Sequence, residues 1–309
     1  MGERSIAGAR TGDLLISGHV NVDHFLALDR FPGPDRTVPI VAERKLLGGT
    51  AANLARVAIH YGVRSGLVAR IGDDFPAAFL AALRRERIDL SGVESVPRTP
   101  TPTCYIVVDR HHEQRTLIEQ GPMDAPPVAP PARGAPWRRF SWLHVTTGSP
   151  DWQLALAERA RAAGAFVAAD PAQEIHYRWD GRRLRALLRR SEILFGNHHE
   201  IARARALLGL RSTEALLDTV PIVIETAGAR GARAHTRAGP IAAPAPRARR
   251  IVSLIGSGDA FRGGFYAAWF EGEPLAGCLR AGARAATAWI EGRSVPRIEL
   301  PLRAERGRR

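Results

Sequence analysis

The run Ile255-Gly256-Ser257-Gly258-Asp259-Ala260-Phe261-Arg262-Gly263-Gly264-Phe265 sets a carboxylate directly behind two glycines, at what reads as the start of a helix. Glycines there let the backbone turn tightly, and the first amides of a helix are unpaired donors that attract anions. A carboxylate in such a place repels phosphate. It makes chemical sense as the acceptor of a proton from a hydroxyl that attacks a phosphoryl group held alongside. As a bare feature it reads equally well as an aspartate cap after a glycine turn. A second run, Leu47-Gly48-Gly49-Thr50-Ala51-Ala52-Asn53-Leu54-Ala55, puts a glycine pair before a helix. The pair lets a ligand lie close to the backbone, and Asn53, one turn in, both donates and accepts hydrogen bonds. By itself the run is a helix start with Thr50 as its N-cap.

Strands and helices alternate around these two runs. Strand-like segments recur at Leu14–Ser17, Gly66–Ile71, Cys104–Val108, Trp142–Val145, Phe166–Ala169, Ile193–Phe195 and Ile222–Glu225. Between them lie helical stretches. Ala51, Leu54, Ala55, Ala58 and Ile59 share one face, closed by Gly62. Phe75, Phe79, Leu80 and Leu83 mark a second helix, and Trp152, Leu154, Leu156 and Ala160 a weaker third. Such alternation predicts a three-layer α/β fold with a mostly parallel central sheet. Two regions, 23–47 and 98–120, show β-rich alternation with no helix between strands and are expected to pair as a small extra sheet. The proline-rich stretch 122–136 reads as a connector within a single domain spanning 1–309, not as a linker between two.

Composition narrows the partners. Hydrophobic residues at 45% and charged residues at 24% exclude wholesale disorder. No apolar run approaches the roughly 18 residues of a membrane-spanning helix. The opening MGERSIAGAR lacks the apolar stretch of a secretory signal, and Ile6 stands where myristoylation wants Ser or Thr. A cytoplasmic protein with no membrane partner is expected. Cys104 and Cys278 alone make neither a disulfide framework nor a cysteine zinc site. The formal charge of +13 would draw nucleic acid, yet the arginines are spread along the chain and no finger, zipper or aromatic RNA-binding strand accompanies them. We therefore expect no specific nucleic-acid binding, and a field that favours anionic substrates. Adjacent histidines on a helix, such as His198 and His199, point about 100° apart and do not easily share a metal. His111 and His112 read as a hairpin tip.

Six segments together resemble the ribokinase-like, or PfkB, family of carbohydrate and nucleoside kinases. They are Ser17-Gly18-His19-Val20-Asn21-Val22-Asp23, the run 47–55 with Ile71-Gly72-Asp73-Asp74, Asn197-His198-His199-Glu200, Thr226-Ala227-Gly228-Ala229-Arg230-Gly231, and the run 255–265. The likeness extends over nearly the whole chain and implies a three-layer ribokinase-like fold with a small β-sheet lid. It implies Asp259 as catalytic base, with Gly256, Ser257 and Gly258 as the anion hole for the γ-phosphoryl group. Asp23, Gly48, Gly49 and Asn53 then hold the sugar hydroxyls. Asn197 and Glu200 organise Mg²⁺ through water, Asn197 also lying near the phosphates, and Thr226, Gly228 and Gly231 form the ATP-binding turn. Without the resemblance, Asn197 and Glu200 are an N-cap and an exposed helix acid. The lid in this family lends itself to homodimers.

The sequence departs from the family at Ser253-Leu254, where Asp-Thr is usual, which puts activation by a monovalent cation in doubt. Gly49-Thr50-Ala51-Ala52-Asn53, Cys104–Asp109, Glu119–Met123 and Asp170-Pro171-Ala172-Gln173 are similar to the archaeal-type nucleoside kinases. That likeness implies Mg²⁺ and ATP acting on a nucleoside hydroxymethyl group. A ribose- or fructose-like sugar, and a catalytically weak ligand-binding relative, are the alternatives. A nucleoside also needs a slot for its base. Phe25, Tyr105 and Met123 are candidates for its wall, or for plain lid packing.

Overall fold

The chain is described by a computed structural model over residues 13–111, 113–124 and 139–300. The first twelve residues, His112 and most of the proline-rich connector lie outside the described residues. Strands β1 (Leu14–Ser17), β4 (Ser65–Gly72), β5 (Asp89–Val96), β8 (Trp142–Val145), β9 (Phe166–Ala169), β10 (Ile193–Asn197) and β11 (Ile222–Thr226) form the parallel part of a nine-stranded sheet. Its order is β13-β12-β11-β10-β9-β8-β1-β4-β5, with β12 (Ala232–His235) and β13 (Ile241–Ala243) added antiparallel at one edge. Buried on both faces, the central strands read as continuous apolar runs, as a covered parallel sheet requires.

Alternate side chains sort into two cores. Leu14 and Ile16 face α1 (Thr50–His60), α2 (Ala77–Arg85), α6 (Ser257–Phe270) and α7 (Leu275–Ile290). Leu15 faces the opposite way, toward α3 (Pro150–Ala162), α4 (Gly181–Leu188) and α5 (His198–Leu208). Tyr266 and Trp269 of α6 pack edge-on against Trp142, each buried aromatic contributing roughly 1.5–3 kcal/mol. The three-layer architecture expected from the alternation is present. One detail differs. Helix α1 is buried at Ala51 through Ala58, on all sides and not along one stripe, because α6 and β4 close over it. Thr50 is not its N-cap either. Gly49 takes that position at φ 99°, and the Thr50 hydroxyl turns to Thr147 Oγ1 at 2.7 Å.

A second, five-stranded sheet covers the carboxyl ends of the large one, in the order β14-β3-β2-β6-β7. Four of its strands come from the two β-rich regions: β2 (Asn21–Ala27), β3 (Ala42–Gly48), β6 (Thr103–Val108) and β7 (Gln114–Glu119). The fifth, β14 (Glu299–Leu300), arrives from the far end of the chain and pairs with Leu46 and Lys45 of β3. Asp73 and Asp74 fasten the return into this sheet. Asp73 accepts from Arg98 N at 2.8 Å, and Asp74 from both Thr101 N and its hydroxyl at 2.7 and 2.6 Å.

Candidate active site

Strand β2 carries Asp23 out of the large sheet and sets it against the glycine pair. A side chain at Gly48 would occupy the space of the Asp23 carboxylate, and one at Gly49 would meet the carbonyl of His19. Gly49 also needs its φ of 99°, a conformation that favours glycine. Asn21 Nδ2 donates to Asp23 Oδ1 at 2.5 Å, leaving Oδ2 free among the described residues. Burial pushes the Asp23 carboxyl up to about 7, against the pull of that hydrogen bond and of the Arg297 charge. Close by, burial drives His19 down to about 4, so its ring is neutral where Nδ1 meets Thr147 Oγ1 at 2.7 Å.

The second half of the site is the start of α6. Gly256 caps it at φ 79°, with the Trp289 ring packed where a side chain would stand. Trp289 Nε1 donates to Ile255 O at 2.6 Å and pins the loop from behind. Ser253 Oγ accepts from Ile255 N at 3.2 Å, so the serine helps to turn the loop that leads into Gly256. Among the described residues, the amides of Gly256, Gly258 and Asp259 carry no hydrogen bond, whereas that of Ser257 donates to Leu254 O at 3.2 Å. The helix start thus presents free donors to an anion.

Asn53 Nδ2 donates to Asp259 Oδ2 at 3.0 Å, joining residues 206 positions apart in the chain. Asp259 Oδ1 has no hydrogen-bond partner among the described residues. Burial, then the charges of Asp170 and Asp23, push this carboxyl up to about 7, while Arg262 and the Asn53 hydrogen bond oppose the rise. A carboxylate so tuned is a competent proton acceptor near neutral pH.

Asn197 ends β10 opposite Thr226 of β11 in the parallel register. It is the N-cap of α5. Its Oδ1 accepts from His199 N and Glu200 N at 2.9 and 3.0 Å, and Glu200 Oε2 accepts from Asn197 N at 2.7 Å. That reciprocal pair is a capping box. The cap reading of Asn197 therefore holds; the exposed-acid reading of Glu200 does not, because the side chain is buried and its pKa raised by that burial. Gly228 and Gly231, with φ of 58° and 94°, shape the turn between β11 and β12, and a side chain at Gly231 would strike the Ala243 carbonyl. The structure thus joins Asp23 to Gly48 and Asn53 to Asp259, and sets Asn197 beside Thr226.

The profile of the pfkB family carbohydrate kinases matches residues 12–297. The chain belongs to this family. It is 31% identical over 285 residues to a nucleoside kinase of Methanothermobacter thermautotrophicus, covering 90% of this chain and 89% of that one. An ATP-dependent ribose-1-phosphate kinase of Halopiger xanaduensis is 33% identical over 83% of this chain and 84% of its own. The crystal structure of the Methanocaldococcus jannaschii nucleoside kinase, an archaeal member of the ribokinase family, superposes with a TM-score of 0.82 at 26% identity, covering 94% and 96% of the two chains. This pfkB kinase is accordingly a phosphotransferase that acts on a hydroxyl group.

Mg²⁺ keeps several waters and takes one or two carboxylates together with substrate phosphates. Among the described residues of this kinase, no group of three or more His, Cys, Asp or Glu side chains converges to hold a metal. Asn197 Oδ1 and Glu200 Oε2 are committed to the capping box, and Glu200 Oε1 has no hydrogen bond among the described residues. Such a donor set fits an ion carried on nucleotide phosphates and met through water, not an all-protein cage. His198 and His199 do not diverge as expected: their ring centroids lie 3.9 Å apart with the planes tilted by 38°, yet among the described residues no third ligand joins them. Met123 is no part of a base slot. It is buried in the core with Leu15 and Val68, its sulfur against Arg70 N at 3.4 Å. Tyr105 and Phe25 do lie on the small sheet, Tyr105 edge-on to His24 with ring centroids 5.3 Å apart.

Sequence reasoning passed over one cluster in this kinase. Arg262, one turn after Asp259, donates through Nη2 to Asp170 Oδ1 at 2.6 Å and pairs through Nε with Oδ2. His144 Nε2 lies 3.1 Å from Asp170 Oδ2, and its Nδ1 lies 2.9 Å from Tyr266 OH. All four side chains are buried. Although burial opposes it, Arg262 and His144 hold Asp170 below the usual carboxylate range, so it stays ionised. The available signal was an arginine amid the apolar run Ala260-Phe261-Arg262-Gly263-Gly264-Phe265.

Proposed function

We propose that this kinase transfers the γ-phosphate of ATP to the hydroxymethyl group of a nucleoside, giving the nucleoside 5′-monophosphate, in the cytoplasm. The Asn53–Asp259 hydrogen bond carries the mechanistic part, because it brings a hydroxyl-reading amide and a base of matched pKa to the mouth of an anion-binding helix start. The likeness to nucleoside kinases over 90% of the chain supports the substrate class. Mg²⁺ supplies charge neutralisation on the nucleotide phosphates when bound.

The remaining work belongs to the chain. Asp23 Oδ2 and Asn53 accept hydroxyl donors from the ribose, and Gly48 and Gly49 let the sugar approach the backbone. Asp259 Oδ1 takes the proton of the attacking hydroxyl. The free amides of the Gly256-Ser257-Gly258 segment meet the charge that builds on the transferred group. Asn197 and Glu200 would meet that ion through water, and Thr226, Gly228 and Gly231 would line the nucleotide. The small sheet serves as the lid of one ribokinase-like unit, and its exposed Leu117 and Tyr105 support pairing of two copies through it.

A second reading, a sugar phosphate as acceptor, is favoured by Arg297, whose charge acts on Asp23 while the guanidinium stands 5.9 Å from the centre of the Phe25 ring and 5.7 Å from that of Trp289. A coupled ADP-release assay across adenosine, inosine, guanosine, cytidine, ribose, fructose and ribose 1-phosphate decides the matter. Nucleosides are expected to give the largest kcat/KM. If free sugars or ribose 1-phosphate turn over at least as efficiently, the nucleoside assignment is wrong and the family assignment stands.

A further inference from the structure

Among the described residues, Arg262 is the one buried cation beside Asp259, and the mechanism above leaves it without a task. Its side chain is 7% exposed. Nη2 is hydrogen-bonded to Asp170 Oδ1 and Nε is in ion-pair contact with Oδ2, and the Phe195 ring lies 5.8 Å from the guanidinium carbon. Nη1 has no hydrogen-bond partner among the described residues. It points at Gly258, lying 2.8 Å from where a Cβ on that residue would stand. Gly258 has no positive φ, so its backbone conformation does not call for glycine. What needs the missing side chain is the guanidinium. Arg262 thus sends one unpaired N–H group to the Gly256-Ser257-Gly258 segment, in a setting where it also feels the charges of Glu200 and Asp259. Asp170 and His144 fix the rest of the fork, so little side-chain freedom remains to be lost on engaging a ligand.

We propose that Arg262 is a second catalytic residue, whose Nη1 donates to a non-bridging oxygen of the phosphoryl group in flight while Nε and Nη2 remain on Asp170. The proposal rests on the phosphoryl-transfer reading. In the step, the acceptor O–H gives its proton to Asp259, and the acceptor oxygen bonds to phosphorus. The bond from phosphorus to the bridging oxygen breaks, and its electron pair leaves with the nucleoside diphosphate. Arg262 keeps its protons throughout. Its planar fork serves two partners at once, as a single ammonium at this depth does not. A merely structural Arg262 would neutralise Asp170 and nothing more.

The test compares the parent, Arg262→Lys and Gly258→Ala. Arg262→Lys keeps the charge near Asp170 and gives up the second arm. Gly258→Ala keeps the ion pair and puts a methyl group in the place of Nη1. Single-turnover phosphoryl transfer and the affinities for acceptor, ADP, and ADP with aluminium fluoride are measured on each, with melting curves as the check on folding. The lysine variant is expected to lose about 10²–10³-fold in transfer rate. Its preference for ADP with aluminium fluoride over ADP alone should fall by a similar factor, with acceptor and ADP affinities held within about threefold. The alanine variant should lose the same preference, and adding Arg262→Lys to it should cost little more, because both act through one N–H group. If Arg262→Lys does not fold, the alanine variant alone decides. A folded variant of either kind that keeps the parent's preference for the fluoride complex overturns the proposal. A parent that phosphorylates ribose and not nucleosides sinks the nucleoside reading and leaves Arg262 standing; a parent that binds the fluoride complex no tighter than ADP overturns both.

Discussion

Replacing Asp259 with Asn is expected to move activity and stability in opposite directions. The amide keeps an oxygen for Asn53 Nδ2 but takes no proton at neutral pH, so single-turnover transfer should fall by on the order of 10²–10⁴. Stability follows from linkage. In the folded chain the carboxyl is raised from 3.8 to about 7, chiefly by burial, so the fold favours its neutral form. The folded state holds the proton more tightly than the unfolded one, and stability is therefore lost as pH climbs from about 4 through 7. At 1.36 kcal/mol per pKa unit the ceiling is about 4 kcal/mol. The group is only part-buried and water screens it, so we take roughly half, about 2 kcal/mol. Asn carries no such penalty. Urea unfolding at pH 8 should find the variant more stable than the parent by about 2 kcal/mol, a gain that vanishes near pH 4. The parent's kcat/KM should rise with pH through about 7, as the free base ionises. Equal stability of the two proteins at pH 8 would show that the Asp259 carboxylate is not desolvated. A variant that transfers phosphate within tenfold of the parent would remove Asp259 from the chemistry.

Three further outcomes follow from the same geometry. Gly48→Ala places a methyl group on the Asp23 carboxylate and should raise acceptor KM by at least about tenfold, or ~1.4 kcal/mol, while KM for ATP stays put; equal changes in both would point to misfolding. Trp289→Phe gives up the bond to Ile255 O, and steady-state kinetics should show kcat lower by about fivefold, the equivalent of one lost hydrogen bond at ~1 kcal/mol. With Ser253 turning the loop where the family has an aspartate, exchanging K⁺ for tetramethylammonium at constant ionic strength should leave the rate within about twofold, and removing Mg²⁺ should abolish it.

The large sheet was legible because its central strands are short, apolar and flanked by glycine: Leu14–Ser17, Trp142–Val145 and Phe166–Ala169 carry the same ends in sequence and structure. Strand β5 escaped notice because Asp89–Val96 is an edge strand, half exposed and charged, with no apolar run. Local chemistry made Asp259, Asn53 and the glycine pairs visible, since each needs only its own neighbours to be odd. The partnership of Arg262 with Asp170 spans 92 positions and His144 joins from a third element, so only the folded chain brings them together. The burial of Glu200 was hidden for the same reason, because its covering comes from residues remote in sequence.

Strand β14 has a consequence for biosynthesis. Leu47 N donates to Ile298 O at 2.8 Å, and Glu299 and Leu300 pair with Leu46 and Lys45. The strand that delivers the glycine pair is thus finished by residues made about 250 positions later. At a synthesis rate of roughly 5–20 residues per second, that gap lasts on the order of 12–50 seconds. During it, the hairpin bearing Asp23 has one open edge, the kind of surface that recruits a wrong partner strand. Arg44 and Lys45 on that strand keep charge beside the open edge, and Arg44 is later claimed by Glu299 in a two-pronged bond of 2.9 and 2.7 Å. A nascent chain halted before residue 298 would therefore hold every acceptor-side residue named here, yet lack the strand that sets them in place.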